Sequence, residues 1–125
     1  MNIRELIRIV DGKLLTRQAS IDREIKGGFG ADLMSDVLAS IQPEAVLLTG
    51  LCNPQVVRTA QMADVAAIVF VRGKRPPAET IQLAVEENLP LISTPYGMFD
   101  VCGRLSSAGL PSLEEPMENG ACECE

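Results

Sequence analysis

The four cysteines are the residues with the most specific chemistry in this 125-residue chain. Four thiolates are sufficient to hold a zinc ion or an iron–sulfur cluster. The sequence lacks the Cys-x-x-Cys pairs typical of such sites, and Cys102 shares an apolar helical stripe with Met98 and Leu105, which predicts a small core residue. We therefore expect no cofactor. The alternative hypothesis is a zinc or iron–sulfur site on Cys52, Cys102, Cys122 and Cys124.

The charged residues indicate which classes of function are disfavoured. The net charge is −6 and the 11 basic residues are scattered, which disfavours nucleic-acid binding. The densest positive charge is "VRGKRPP", with Arg72, Lys74 and Arg75, which is either a solvated loop or a phosphate-binding loop. Histidine, the commonest general base, is absent, and no nucleophile and base pair is evident. The sequence therefore predicts that the protein is not an enzyme.

Three short apolar runs predict the elements that position these residues. "AVLLT" (45–49), "AAIVFV" (66–71) and "PLIST" (90–94) are typical of strands covered on both faces, as in a parallel sheet. Helical patterns lie between and after them, in the order typical of α/β proteins. We expect a single three-layer α/β/α domain with a mainly parallel sheet.

The first 43 residues are less regular. The spacing predicts a helix over 3–10 and a short strand in "KLLT". An extended segment is expected in "IDREIKGGFGA", with breaks at Gly27, Gly28 and Gly30. A further helix is expected over 33–41, ended by Pro43, with Asp32 and Asp36 as its N-cap and solvated first turn.

The end of the sequence differs from the rest. From Leu110 the chain is acidic, carries two prolines and has no periodicity. We expect a domain over 1–109 followed by a flexible acidic tail over 110–125 that contains the Cys-x-Cys pair.

The junctions from strand to helix are the candidate site. Asn53-Pro54, Pro76-Pro77 and Thr94-Pro95 each place proline where a first helical turn would begin, and Asn53 and Thr94 can cap such turns. This arrangement is sufficient to explain them as helix starts. The same edge of an open α/β sheet is also where ligands gather and where helix N-termini favour anions. The candidate ligand-binding residues are Gly50, Asn53, Arg72, Gly73, Lys74 and Thr94.

The sequence also indicates where in the cell the protein is located. No apolar run approaches the roughly 18–20 residues of a membrane span, and the first residues have no signal-peptide core. We expect a cytoplasmic protein that does not contact a membrane.

The segments "IKGGFGADLMSDVLASI" and "VLLTGLCNPQVVRTAQMADVAAIVFVRGKRPPAETIQLAVEENLPLISTPYGMFDVCGRL" resemble the DRTGG domain family. They look most like the short stand-alone members found beside iron-only hydrogenase and serine-kinase-like genes. The resemblance implies an α/β/α sandwich similar to the N-terminal domain of HPr kinase/phosphorylase. Other members are regulatory modules beside CBS domains in pyrophosphatases. The sequence has "TGLCNPQ" and "VRGKR" where the residues that name the family would stand, and it retains only Gly73 of them.

The resemblance implies a non-catalytic regulatory or assembly module, a homodimer that senses a small anionic or nucleotide ligand. Hydrogenase-related or kinase-like proteins are the implied partners. The alternative is an iron–sulfur or zinc protein that uses the four cysteines in hydrogenase maturation or electron transfer.

Overall fold

One five-stranded sheet, with strand order β1-β5-β4-β3-β2, organises the chain. The computed structural model describes residues 1–17, 19–114 and 116. The strands are β1 (Lys13–Leu14), β2 (Gly27–Gly30), β3 (Ala45–Thr49), β4 (Ala67–Phe70) and β5 (Leu91–Ser93). Strands β2 to β5 are parallel, and β1 pairs with β5 in the antiparallel direction. The predicted α/β class with a mainly parallel sheet is confirmed.

Helices cover both faces of this sheet. They are α1 (Ile3–Ile9), α2 (Met34–Ser40), α3 (Pro54–Met62), α4 (Ala78–Glu86) and α5 (Met98–Ser107). Side chains of α1 and α5 pack with Val46 and Leu48 of β3, whereas side chains of α2, α3 and α4 pack with Leu47. Because successive strand residues point to opposite faces, these two clusters are the two cores of a three-layer α/β/α domain.

The central strands agree with the apolar runs that predicted them. Every residue of β3 and of β4 is buried. Their register runs from Val46 opposite Ala67 to Thr49 opposite Phe70. Strands covered on both faces need no polar alternation, which is why continuous apolar runs identified them correctly.

The glycine-rich segment is a strand, and the predicted break at its glycines is wrong. A Cβ atom on Gly27 would lie 2.4 Å from Leu113 Cγ and 2.6 Å from the Pro111 carbonyl oxygen. A Cβ atom on Gly30 would lie 3.1 Å from Met98 Sδ on α5. Glycine is therefore needed in β2 because neighbouring chain approaches the strand closely.

The first residues of the predicted tail pack against this strand. Leu110 is buried, and Gly28 N donates to the Pro111 carbonyl oxygen at 2.8 Å. Leu113 N donates in turn to the Gly28 carbonyl oxygen at 3.0 Å. A free tail therefore does not begin at Leu110. Residues 117–125, with Cys122 and Cys124, lie outside the described residues, and a flexible tail there stays a prediction.

The length and hydropathy of the helices indicate whether any of them could cross a membrane. The longest helix in the part of the chain that the structure describes is α5, with 10 residues, and none of the helices there is long and apolar enough to cross a membrane.

Candidate functional site

The carboxyl ends of β2, β3, β4 and β5 meet at one edge of the sheet because these four strands are parallel. At the end of β3, the Thr49 hydroxyl donates to Asp32 Oδ1 at 3.0 Å, and Gly50 N donates to the same oxygen at 2.7 Å. The Thr49 hydroxyl also accepts from Leu51 N at 3.1 Å. A carboxylate of the chain itself therefore occupies the N–H of Gly50, one of the predicted ligand-binding residues.

This role of Asp32 corrects the predicted N-cap of α2. The residue at the N-cap position is Leu33, which forms no side-chain capping bond, and Asp36 lies in the first turn as expected. Asp32 is the second residue after β2 and reaches across to the end of β3 instead.

The start of α3 is held by hydrogen bonds to the backbone carbonyl oxygens before it. Pro54 is the first helical residue, as predicted, and Asn53 has the extended conformation of an N-cap. The Asn53 side chain is exposed and makes no capping bond, so its predicted capping role is wrong. Val56 N donates to the Asn53 carbonyl oxygen at 3.1 Å. The Thr80 hydroxyl of α4 donates to the Cys52 carbonyl oxygen at 2.9 Å and fixes the turn.

The loop after β4 is a tight turn. Lys74 N donates to the Val71 carbonyl oxygen at 3.3 Å, and the φ angles of Arg72 and Gly73 are +62° and +66°. Two successive positive φ angles with this bond are typical of a type I′ turn. The turn presents the side chains of Arg72 and Lys74 to solvent.

This turn is anchored to the loop after β5. Arg72 N donates to the Tyr96 carbonyl oxygen, and Gly73 N donates to the Thr94 carbonyl oxygen, both at 2.7 Å. The backbone beneath the two cations is therefore fixed by hydrogen bonds.

Thr94 does not lie on the accessible edge. Its side chain is fully buried, and its hydroxyl donates to the Val10 carbonyl oxygen at 2.6 Å. The same hydroxyl accepts from Tyr96 N at 3.3 Å. Helix α5 begins later, at Met98 with Gly97 as its N-cap, so the predicted helix start at Thr94-Pro95 is wrong. Burial leaves Thr94 no surface for the ligand contact that the sequence predicted.

A cavity of about 320 Å³ opens at this edge. It is lined by Asp32, Gly50, Leu51, Val71, Arg72, Lys74 and Met98. Three of the predicted site residues thus come together, whereas Gly73 and Asn53 do not line the cavity. Reasoning from the sequence missed Asp32 and Met98. The position of Asp32 after a strand could have indicated its role at the site. That strand was not recognisable from the sequence because it consists largely of glycine.

The cysteines do not converge among the residues that the structure describes. Cys52 packs with the cluster beneath α2, α3 and α4, whereas Cys102 lies on α5, on the other face of the sheet. Cys102 is exposed, so its predicted core role is wrong, and Val101 and Leu105 are the buried residues of that helix. No group of three or more potential metal ligands occurs among the described residues.

Electrostatics connect Cys52 with the cavity. Burial raises the pKa of the Cys52 thiol, and the positive charge of Lys74 opposes part of that rise. Lys74 is therefore close enough to act on the loop after β3 as well as on the cavity. A thiol with a raised pKa is a weaker nucleophile at neutral pH.

The fold defines the class of protein. It is a three-layer α/β/α domain with an open, mainly parallel sheet, an architecture in which ligands generally gather at the carboxyl ends of the strands. The DRTGG domain family model matches residues 5–108, and the chain belongs to this family. Nothing among the curated proteins matches the chain.

A solved structure shares the fold. It is the crystal structure of the CBS and DRTGG domains of the regulatory region of Clostridium perfringens pyrophosphatase, complexed with the activator diadenosine tetraphosphate. The TM-score is 0.66 at 14% identity, over 93% of this chain and 51% of that one. The chain thus spans about half the length of the chain in that structure.

Proposed function

We propose that this protein is a non-catalytic regulatory or assembly module that binds a small anionic ligand, such as a nucleotide, at the carboxyl edge of its sheet. The observation that carries this proposal is the pair of cations, Arg72 and Lys74, on an anchored turn beside a cavity of about 320 Å³. The regulatory region of the pyrophosphatase, which contains a DRTGG domain, was crystallised with a nucleotide activator, and this supports the nucleotide class.

The charges at the cavity favour an anion held by side chains. Among the described residues, the ion pairs at 4 Å or less leave Arg72 and Lys74 unpaired. Guanidinium and ammonium groups are the usual partners of phosphate in proteins. Because both side chains are exposed, their attraction for the ligand is screened by salt.

The same cavity offers little for catalysis. Its lining residues include one carboxylate and two cations, and no hydroxyl or thiol side chain. The neighbouring Cys52 has a raised pKa, so its thiolate is a minor form at neutral pH. These properties support a site that binds rather than reacts.

Calorimetric titration with ATP, diadenosine tetraphosphate and tripolyphosphate tests the proposal. We expect Lys74→Gln to weaken binding of each probe about five- to tenfold, since it removes one charged contact. The matched control is Lys26→Gln, which removes a cation paired with Glu44 just before β2, at the opposite edge of the sheet. Equal losses in both variants, or no binding of any probe to the unaltered protein, would contradict the proposal.

We also propose that the module is a homodimer. Support comes from Phe99, whose side chain is 93% exposed, whereas Phe29 and Phe70 are buried in the core. Phe99 shares a surface hollow with Ile9 and Met98, and contiguous exposed apolar surface marks protein–protein contact sites. Light scattering should report a dimer that Phe99→Ser converts to a monomer, and an unchanged dimer would place the interface elsewhere.

The remaining predictions concern partners, cofactors and location. Hydrogenase-related or kinase-like partners, a cytoplasmic location and the absence of a cofactor stay predictions from the sequence. Metal analysis of anaerobically purified protein tests the four-cysteine alternative. Stoichiometric iron or zinc that disappears in Cys122→Ser would support that alternative over the expectation of no cofactor.

A further inference from the structure

The cavity at the carboxyl edge holds one carboxylate together with two cations. From this combination we infer that Asp32 accepts a hydrogen bond from a sugar hydroxyl, so that the site selects nucleotides over inorganic polyphosphates. The inference rests on the anion site proposed above and names the ligand class of that site.

The position of Asp32 is fixed by two donors at the end of β3. Both hydrogen bonds, from Gly50 N at 2.7 Å and from the Thr49 hydroxyl at 3.0 Å, end on Oδ1. Thr49 is fully buried, so one of the two donors belongs to the folded core. The carboxylate is therefore held in one place before any ligand arrives.

The second carboxylate oxygen of Asp32, Oδ2, remains able to accept a hydrogen bond from a ligand. Within the described part of the chain, no hydrogen bond to Asp32 Oδ2 is formed, and the residue lines the cavity. An ionised carboxylate can accept about four hydrogen bonds, and the two on Oδ1 use half of them. Asp32 thus offers an oriented acceptor in the same space as the Arg72 and Lys74 side chains.

The charge pattern decides which ligands fit. A carboxylate beside two cations repels a bare polyphosphate, because like charges in one site disfavour each other. The repulsion is offset when the ligand donates a hydrogen bond to that carboxylate. A nucleotide carries both groups, since its phosphates suit Arg72 and Lys74 and its ribose hydroxyls suit Asp32.

Comparable chemistry occurs in dinucleotide-binding sheets, where an acidic residue at a strand end accepts the ribose hydroxyls. The cavity volume of about 320 Å³ lies within the range of small-molecule sites. The neighbouring Met98 adds apolar surface for the sugar ring.

Calorimetry with ATP, 2′,3′-dideoxyATP and tripolyphosphate, all without divalent cations, tests the inference. The unaltered protein should bind ATP about tenfold more tightly than the dideoxy nucleotide. Asp32→Asn should abolish that preference and leave the affinity for tripolyphosphate equal or higher. The amide oxygen of asparagine can still accept from Gly50 N and Thr49, so we expect this variant to fold.

The test has one control variant and three outcomes that would contradict the inference. Asp36→Asn removes an exposed carboxylate on the first turn of α2 that does not line the cavity, and it should change none of the three affinities. Equal affinities of the unaltered protein for ATP and the dideoxy nucleotide would overturn the inference alone, without any variant. An equal rise for all three probes in Asp32→Asn would show that Asp32 only repels anions, and this also overturns it. No binding of any probe to the unaltered protein would overturn the anion site and the inference together.

Discussion

The loops after β3 and β4 lie side by side at one edge of the sheet, yet they use their polar groups differently. In the β3 loop (residues 49–53), the Gly50 N–H and the Thr49 hydroxyl are both bound to Asp32, and Thr80 holds the Cys52 carbonyl oxygen. In the β4 loop (residues 71–74), the backbone N–H groups of Arg72 and Gly73 are also bound within the fold. The difference is that the β4 loop leaves two charged side chains free in solvent.

This comparison changes where a ligand is expected. In many α/β sheets, the backbone N–H groups of a helix start hold the anion. Here the N–H group of Gly50, just before that helix start, is bound to a carboxylate of the chain itself, so we propose that the side chains of the β4 loop bind the anion instead. The β3 loop acts mainly as structural support, with Asp32 as its contribution to the cavity.

The largest expected effect comes from breaking the β3 loop. Thr49→Val removes a fully buried hydroxyl that donates to Asp32 and accepts from Leu51 N. We expect a loss of about 2 kcal/mol in the free energy of unfolding, because the Leu51 N–H and the Asp32 carboxylate each lose a hydrogen bond to this hydroxyl. Urea denaturation measures this change.

The matched control for that variant is Thr59→Val. The Thr59 hydroxyl is buried, and it has no hydrogen-bond partner among the described residues. The same replacement there should be neutral or stabilising by up to about 1 kcal/mol. Similar losses of unfolding free energy in Thr49→Val and Thr59→Val would mean that the hydrogen bonds of Thr49 do not contribute to stability.

The second effect concerns the β4 loop. Gly73 has a φ of +66° and open space around a Cβ atom, so Gly73→Val adds strain without a clash. We expect it to cost about 1–2 kcal/mol, whereas Gly73→Asn should cost less because asparagine tolerates this conformation better. Equal costs for valine and asparagine, measured by thermal unfolding, would argue against strain at this position.

A smaller effect links the two loops through charge. Lys74 partly opposes the rise in the pKa of Cys52, so Lys74→Gln should raise that pKa further. The thiolate is the reactive form, so alkylation of Cys52 by iodoacetamide at pH 8 should slow about twofold. Peptide mass spectrometry follows the rate, with Lys26→Gln as the unaffected control. A faster reaction in Lys74→Gln would contradict this coupling.

The smallest effect is expected at the start of α3. Asn53→Ala should change stability by less than about 0.5 kcal/mol, because this side chain makes no capping bond. Asn2→Ala provides the contrast, since Asn2 Oδ1 accepts from Glu5 N at 2.8 Å in a capping box at the start of α1. That variant should cost about 1 kcal/mol. An equal cost at Asn53 would restore its predicted capping role.

The sequence predicted the regular elements better than the site. Strands β3 and β4 were recognisable because burial on both faces makes every residue apolar. Strand β2 was not, since its glycines reflect the close approach of Leu113 and Met98, which only the folded chain reveals. The part played by Asp32 was missed for the same reason, because its neighbours depend on β2 lying beside β3.

Two other errors have local causes. Cys102 was assigned to the apolar stripe of α5, but the buried stripe runs through Val101 and Leu105, and Cys102, one residue further along, is exposed. Thr94 resembled a helix cap because a proline follows it, yet its hydroxyl binds the distant Val10 carbonyl oxygen. A contact between residues so far apart in sequence has no local signal.

The central claim is that the β4 loop, and not the start of α3, holds the ligand. An NMR titration of the ¹⁵N-labelled protein with ATP tests it most directly. We expect the largest chemical-shift changes at the amides of Arg72, Gly73 and Lys74, with little change at Gln55 and Val56. The largest changes at Gln55 and Val56, with the β4 loop unaffected, would contradict the account.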